Sequence, residues 1–323
     1  MLHVTEADVK RLLAFPKAIE MVRDAYVKLA RGLAVNPPRI VMSVPGGASM
    51  FFMPGHVYGQ RSVAVKVARV NAENPRVSLP TVLLTIYAFD ANTGEQIAEV
   101  EAEWLTAVRT AASTAVATDA LARNNVKVLG VFGSGKEATA HIPALMLVRD
   151  FDKVLVYSRN KEKRQRFAKK MSRDRRIQVV AADSPDCVAI EADVIVTATT
   201  SASPVFDGRL VKTGTLVNVI GAATPEAREV DTELVRRSRV VVDSRAQALS
   251  TYGDIIMPIR KQAIRESEII ELGQVLIGKP KKVLPGRDIT LFKSGGLAVL
   301  DAIITDHVLG SLSRKKGFAM RGS

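Results

Sequence analysis

Residues 126–145 read VKVLGVFGSGKEATAHIPAL, and this stretch decides how the second half of the chain folds. The apolar run Val126–Phe132 predicts a strand, and the Ala-containing run from Lys136 predicts a helix. Between them, Gly133-Ser134-Gly135-Lys136-Glu137-Ala138 fits G-x-G-x-x-A, the turn of a dinucleotide-binding strand–helix–strand unit. Gly133 allows the tight turn, Gly135 leaves room for the backbone to approach a pyrophosphate, and Ala138 lets the helix pack closely on the strand. The start of the helix then offers N–H groups and the positive end of its dipole to phosphates. A Gly-rich turn alone is a weak signal. Here a strand precedes it, a helix follows, and a second strand ends about 20 residues on, which is the context the motif requires.

That second strand ends in Tyr157-Ser158-Arg159-Asn160, with Arg164 one helical turn further. An acid at this place would bond the ribose 2′-hydroxyl of NAD. A hydroxyl and a guanidinium instead suit a 2′-phosphate, so NADP(H) is the expected cofactor, with NAD(H) possible. Arg159 as a plain surface arginine is the competing account. The expected cofactor surface also takes in Thr197, Ala198, Thr199, Ile220, Gly221, Ser294 and Gly295. Strand and helix alternate from Val126 onward, through Lys153–Tyr157, Ile177–Val180, Asp193–Thr197, Leu216–Ile220 and Arg239–Val242. This predicts an α/β fold with a Rossmann-type doubly wound parallel sheet.

The first hundred residues follow another rule. Thr5 reads as a helix N-cap with Asp8 as its capping-box partner, and Pro16 divides the helical pattern into two short helices. From Arg39 to about Val100 the period becomes two, predicting consecutive strands and a mostly antiparallel sheet in a second, α+β domain. Within it Leu79–Phe89 reads as one buried strand. Glu101–Arg123 reads as a long helix joining the halves, and a last helix, Leu297–Ser311, is expected to return to the first domain. The expected domains are therefore residues 1–118 with 297–323, for substrate binding and dimerisation, and 119–296 for NAD(P) binding.

Composition narrows the class. Apolar residues make up 47% of the 323, which excludes a largely disordered chain. No apolar stretch reaches the roughly 20 residues a bilayer span needs, no secretory signal is visible, and Cys187 is the only cysteine. A cytoplasmic protein without membrane partners is expected. The net charge of +13 is concentrated between Arg159 and Arg176. Only Phe167 interleaves with those cations, so no stacking platform for nucleic acid accompanies them, and no nucleic-acid partner is expected. A solvated helix face that also concentrates small anions accounts for the run. His3, His141 and His307 share no ligand spacing with an acid or with Cys187, so no metal is expected; His56, a candidate acid beside Pro54-Gly55 in a loop context, reads as a structural or exposed histidine.

Three basic residues stand out by location: Lys66 within an apolar strand, Arg39 after Pro37-Pro38, and Arg109 among small residues of the long helix. Burying a cation is costly unless an anion pairs with it, and an anionic substrate or a nearby glutamate would serve. Asp301, near Ser294-Gly295-Gly296, is read equally well as orienting a group near the nicotinamide or as a helix cap or surface residue.

The chain resembles the ornithine cyclodeaminase/mu-crystallin family over nearly its full length. The resemblance rests on Pro37-Pro38-Arg39, Met53-Pro54-Gly55-His56, Val65-Lys66-Val67, Leu79-Pro80-Thr81, Leu105 to Ala112, the Gly133 turn, Gly214 to Ala222, and Phe292 to Ala298. It implies a homodimer built through the first domain and an active site between the domains. It also implies that Arg39, Lys66 and Arg109 hold a substrate carboxylate near the nicotinamide, with Thr81 close by and with Lys66 and Arg109 catalytic. Ornithine cyclodeaminases carry an Asp after the strand matching Leu216–Ile220, where this chain has Ala223. Alanine relays no proton. The expected activity is therefore NADP(H)-dependent reduction of a cyclic 2-imino acid, pyrroline- or piperideine-2-carboxylate, to L-proline or L-pipecolate. Alanine-dehydrogenase or cyclodeaminase chemistry and a non-catalytic NADP(H) carrier are the alternatives. Asp231 is read as a helix N-cap.

Overall fold

The computed structural model describes residues 1–45, 47–71, 73–175, 177–279 and 288–316. Arg176, the end of the basic run, and residues 317–323 of the expected first domain lie outside them. The chain separates into two units, Met1–Arg109 with Leu297–Ser323, and Thr110–Gly296. The first crossing therefore falls inside the helix Glu103–Leu121 and not after residue 118. That helix carries no Gly or Pro, so the sequence holds no local signal for where it passes from one unit to the other.

In the first unit, Thr5 caps the helix Glu6–Leu12 and completes a capping box with Asp8. Pro16 sits in the first turn of the helix Phe15–Ala30, where its missing N–H is not needed. The break consequently comes just before it, and the second helix has 16 residues instead of being short. A seven-stranded sheet follows. Its strands are β1 (Leu2–Val4), β2 (Ala34–Val35), β3 (Ile40–Val44), β4 (Ala48–Val57), β5 (Ser62–Val70), β6 (Val82–Asp90) and β7 (Gln96–Glu101). Their order is β1-β7-β6-β5-β4-β2, with β3 also paired to β4. β1 runs parallel to β7 and the other pairs are antiparallel.

The period of two is plain in β5, where Ser62, Ala64, Lys66 and Ala68 are buried and the residues between them are half-buried. The helix Ala298–Lys316 lies on that inner face, where Asp306 accepts from Ser62 N and Oγ at 3.2 and 3.0 Å. β4 continues through Pro54-Gly55-His56, a stretch that reads as a loop in the sequence. Gly55 makes this possible, because a side chain there would lie 2.6–2.7 Å from the backbone of Ala298 and Val299. His56 is thus a strand residue, its Nδ1 3.1 Å from Ser62 O. The stretch Leu79–Phe89 is not one buried strand: β6 starts at Val82, and Leu79 and Val82 are 49% and 39% exposed.

The second unit holds an eight-stranded sheet. Its strands are β8 (Val128–Phe132), β9 (Lys153–Tyr157), β10 (Gln178–Ala181), β11 (Val194–Thr197), β12 (Leu216–Val219), β13 (Ser238–Val242), β14 (Ile270–Glu271) and β15 (Ile289–Lys293). The order is β10-β9-β8-β11-β12-β15-β13-β14, and every pairing is parallel. The order reverses between β8 and β11, and such a reversal opens the crevice in which doubly wound sheets bind ligands. β15 was not among the expected strands, yet it fills a central place. Phe132, Ile195, Val217, Val219 and Leu291 build the core against the sheet.

Candidate active site

At the turn after β8, Gly133 has φ +123°, and a side chain on it would meet Ala198 O. Its N–H donates to Tyr157 O at 2.8 Å, which ties the ends of β8 and β9 together. Gly135 is the N-cap of the helix Lys136–Leu145 and supplies no side chain to cap it. The place a Cβ would take at Gly135 has nothing within 4 Å of it. Uncapped N–H groups beside open space are what a pyrophosphate requires, so the turn fits the dinucleotide read from its sequence. Ala138 is fully buried, while Lys136 is exposed and Glu137 is in the first turn.

At the end of β9, Ser158 Oγ lies 3.1 Å from Ser134 Oγ. Arg159 and Asn160 are exposed, and Asn160 Oδ1 accepts from Lys163 N at 2.7 Å, capping the helix Lys161–Arg175. Arg164 is occupied: it is 5% exposed, donates from Nη1 to Ser158 O at 2.6 Å, and lies over the Tyr157 ring at 4.7 Å. It is spent on the loop itself and is not held out toward a ligand.

The ends of β11 and β12 meet at Glu229, a residue that no position-by-position reading singled out. This fully buried carboxylate accepts from Thr197 Oγ1, Thr199 N, Thr199 Oγ1 and Gly221 N. Ile220 N donates to Thr197 O at 3.0 Å, and Ala198 N to Phe132 O at 2.8 Å. Ser294 and Gly295 are held by another buried acid, Asp243, whose Oδ2 accepts from Ser294 Oγ at 2.8 Å and from Gly295 N at 3.1 Å. Asp231 is the N-cap of Thr232–Arg236.

In the first unit three charges close on one another. Asp301 Oδ2 accepts from Lys66 Nζ at 2.6 Å, and its Oδ1 from Arg109 Nε at 2.9 Å. The three side chains are 1%, 2% and 6% exposed for Asp301, Lys66 and Arg109. Burial first, then Arg109 and to a smaller degree Arg39, pull the Lys66 ammonium down to about 8 against Asp301, which holds it up. Arg39, half-buried, is therefore near enough to be felt. Thr81 is not gathered in: it is exposed before β6, and Lys66 pairs with Ile86 further along that strand.

Asp301 is the residue that sequence reasoning left open. It stands in the first turn of Ala298–Lys316, where a cap role explains an acid equally well. The signal that distinguishes the two is its place as the one acid in an apolar run, Leu297 to Ile304, that is buried throughout. Among the described residues, no group of three His, Cys, Asp or Glu side chains is placed to hold a metal ion. No helix among them is long and apolar enough to cross a membrane.

The profile of the ornithine cyclodeaminase/mu-crystallin family matches residues 1–316. The chain is 31% identical over 312 residues to a Delta(1)-pyrroline-2-carboxylate reductase of Bacillus cereus, covering 95% of each. Among solved structures, Thermococcus litoralis Delta(1)-pyrroline-2-carboxylate reductase in complex with NADH and L-proline superposes with a TM-score of 0.94. It is 35% identical, with 98% of both chains covered. An archaeal alanine dehydrogenase dimer with bound NAD has a TM-score of 0.92 at 29% identity, over 100% of this chain and 98% of that one.

Proposed function

Because this chain belongs to the ornithine cyclodeaminase/mu-crystallin family, we propose that it is an NADP(H)-dependent reductase of a small cyclic 2-imino acid. Its substrate in this reading is pyrroline- or piperideine-2-carboxylate, and its product L-proline or L-pipecolate. The observation that carries the reading is the buried cluster of the first unit, in which Lys66 and Arg109 share the single carboxylate of Asp301. Two buried cations against one acid leave a positive excess, and a substrate carboxylate would balance it. Asp301 occupies Nε of Arg109, so the two terminal nitrogens of the guanidinium remain for a bidentate grip.

Arg39 adds charge at the edge of the cluster. A reduced nicotinamide dinucleotide, its pyrophosphate at the Gly133 turn, would supply the hydride. Lys66, half-protonated near pH 8, holds a proton beside the acid that orients it and can pass it to the imine nitrogen, leaving that nitrogen positive and its carbon open to hydride. No strong base is needed in this direction, which suits Ala223 where a cyclodeaminase has an acid.

NADPH is preferred over NADH in this reading, since Ser134, Ser158 and the exposed Arg159 carry hydroxyls and a cation where an acid would repel a 2′-phosphate. We also propose a homodimer, on the exposed apolar strand β3 and the dimer found in the archaeal relative. The free, half-buried Cys187 suits a reducing compartment, and a cytoplasmic location belongs to the same reading.

The test is oxidation of NADPH and of NADH with each cyclic imine, and with pyruvate plus ammonia. Fast turnover of a cyclic imine, faster with NADPH, is expected. Turnover with pyruvate and ammonia alone would make the chain an alanine dehydrogenase. Cofactor binding without turnover of any of them would leave a carrier.

A further inference from the structure

We infer that Glu229 is a positioning residue of the dinucleotide site: its buried carboxylate sets the spacing of the loops after β11 and β12, on which the nicotinamide half of the cofactor rests. The inference builds on the cofactor use proposed above. Glu229 Oε2 accepts from Thr197 Oγ1 at 2.8 Å and from Gly221 N at 2.6 Å. Its Oε1 accepts from Thr199 N at 2.8 Å and Thr199 Oγ1 at 2.7 Å. An ionised carboxylate accepts only, at about four sites, so these four donors use its whole capacity. Two of the donors are backbone N–H groups on different loops, and one rigid side chain thereby fixes the distance between those loops.

Glu229 is itself fastened. Asp254 Oδ1 accepts from the N–H of Glu229 at 2.7 Å and of Val230 at 3.1 Å. Asp254 Oδ2 lies 3.0 Å from Lys293 Nζ, and Lys293 donates to Ala222 O. Both side chains of this ion pair are fully buried. The segment after β12 is therefore pinned at Gly221, at Ala222 and again at Glu229.

In a doubly wound sheet a dinucleotide lies across the point where the strand order reverses, one mononucleotide to each side. That point is between β8 and β11. The Gly133 turn and Ser158 serve the adenosine side, whereas β11 and β12 serve the nicotinamide side. All four donors to Glu229 belong to the second side.

This asymmetry gives a readout that general loss of structure would not imitate. In Glu229→Gln an amide NH2 faces N–H and O–H donors, and at least one of them loses its acceptor. The affinities to measure, by calorimetry, are those of 5′-AMP and NADH and of adenosine 2′,5′-bisphosphate and NADPH. The adenosine-side fragments should bind within about twofold of the unaltered chain, while the whole dinucleotides should bind about tenfold more weakly, as loss of one well-placed hydrogen bond implies. Thr197→Val removes one donor without changing shape and should weaken the dinucleotides alone by about threefold; it decides the matter if the Gln variant does not fold. Equal weakening of fragment and dinucleotide, or no weakening of either, would overturn the inference. Fragment binding by the unaltered chain without any binding of NADH or NADPH would overturn the cofactor reading first, and this inference with it.

Discussion

Lys66 is the residue whose surroundings carry most of the chemistry. Its ammonium is held at about 8 by opposed effects, burial and Arg109 against Asp301. Removing the charge that supports it should lower it further. In Asp301→Asn, which keeps the shape and loses the charge, Lys66 should release its proton at lower pH. For a reductase that needs Lys66 charged, kcat/KM for a cyclic imine should fall above about pH 8 in the unaltered protein and at a lower pH in the variant. A limb that stays in place when Asp301 is changed belongs to the substrate, and would remove Lys66 from the proton's path. The cations were legible as residues, since a lysine inside an apolar strand stands out. Their common partner was not, because 235 positions separate Lys66 from Asp301 and no period links them.

At the scale of elements, the helix after the Gly133 turn is pinned by its own histidine. His141 is fully buried, its Nδ1 donates to Glu137 O at 2.7 Å, and its Nε2 lies 3.1 Å from Thr114 Oγ1 on the helix Glu103–Leu121. Burial pulls its imidazole down to about 4, below the ordinary imidazole value of 6.5. Unfolded chains take up a proton near 6.5 and the folded one only near 4, so between these the unfolded state binds more protons. Stability should therefore decline as pH falls from 6.5 toward 4, by about 3 kcal/mol, and stay level with respect to this group below that. Urea unfolding across that range should show the decline, and His141→Gln should abolish it; an unchanged slope in the variant would place the effect in the carboxylates. Strands and helices bounded by Gly, Pro or a capping residue were readable, as at Thr5 and at Asp231. β15 was not, since Ile289–Lys293 is only five residues long, buried throughout and without alternation, and its central place comes from pairing with β12 and β13.

For the whole molecule, the informative surface is β3. All five of its residues are exposed, Ile40 at 63% and Val41 at 48%, and exposed apolar edge strands invite pairing with another chain. Light scattering should find a particle twice the chain's 34.9 kDa. Ile40→Glu with Met42→Glu, two residues on one side of the strand, should move the mass toward the monomer. A monomer in the unaltered protein would end the dimer reading. The charge of +13 has a different role: it favours anionic ligands by attraction at a distance, an effect that added salt weakens.

Local rules account for what this sequence determines unaided. Periods of two and of mixed strand and helix separated an antiparallel-rich sheet from a parallel one, and G-x-G-x-x-A marked the phosphate turn, because each is written in residues close together in the chain. Resemblance over several motifs supplied the family. Tertiary structure decided the rest. Arg164 read as a ligand-facing cation and is instead spent on Ser158 O and Tyr157. Asp301 read equally well as orienting a group near the nicotinamide or as a cap, and it holds two cations; Glu229 carried no reading of its own and joins two loops. In each case the deciding fact is which buried charge finds which partner. Desolvation makes that pairing obligatory, but only folding brings the partners together.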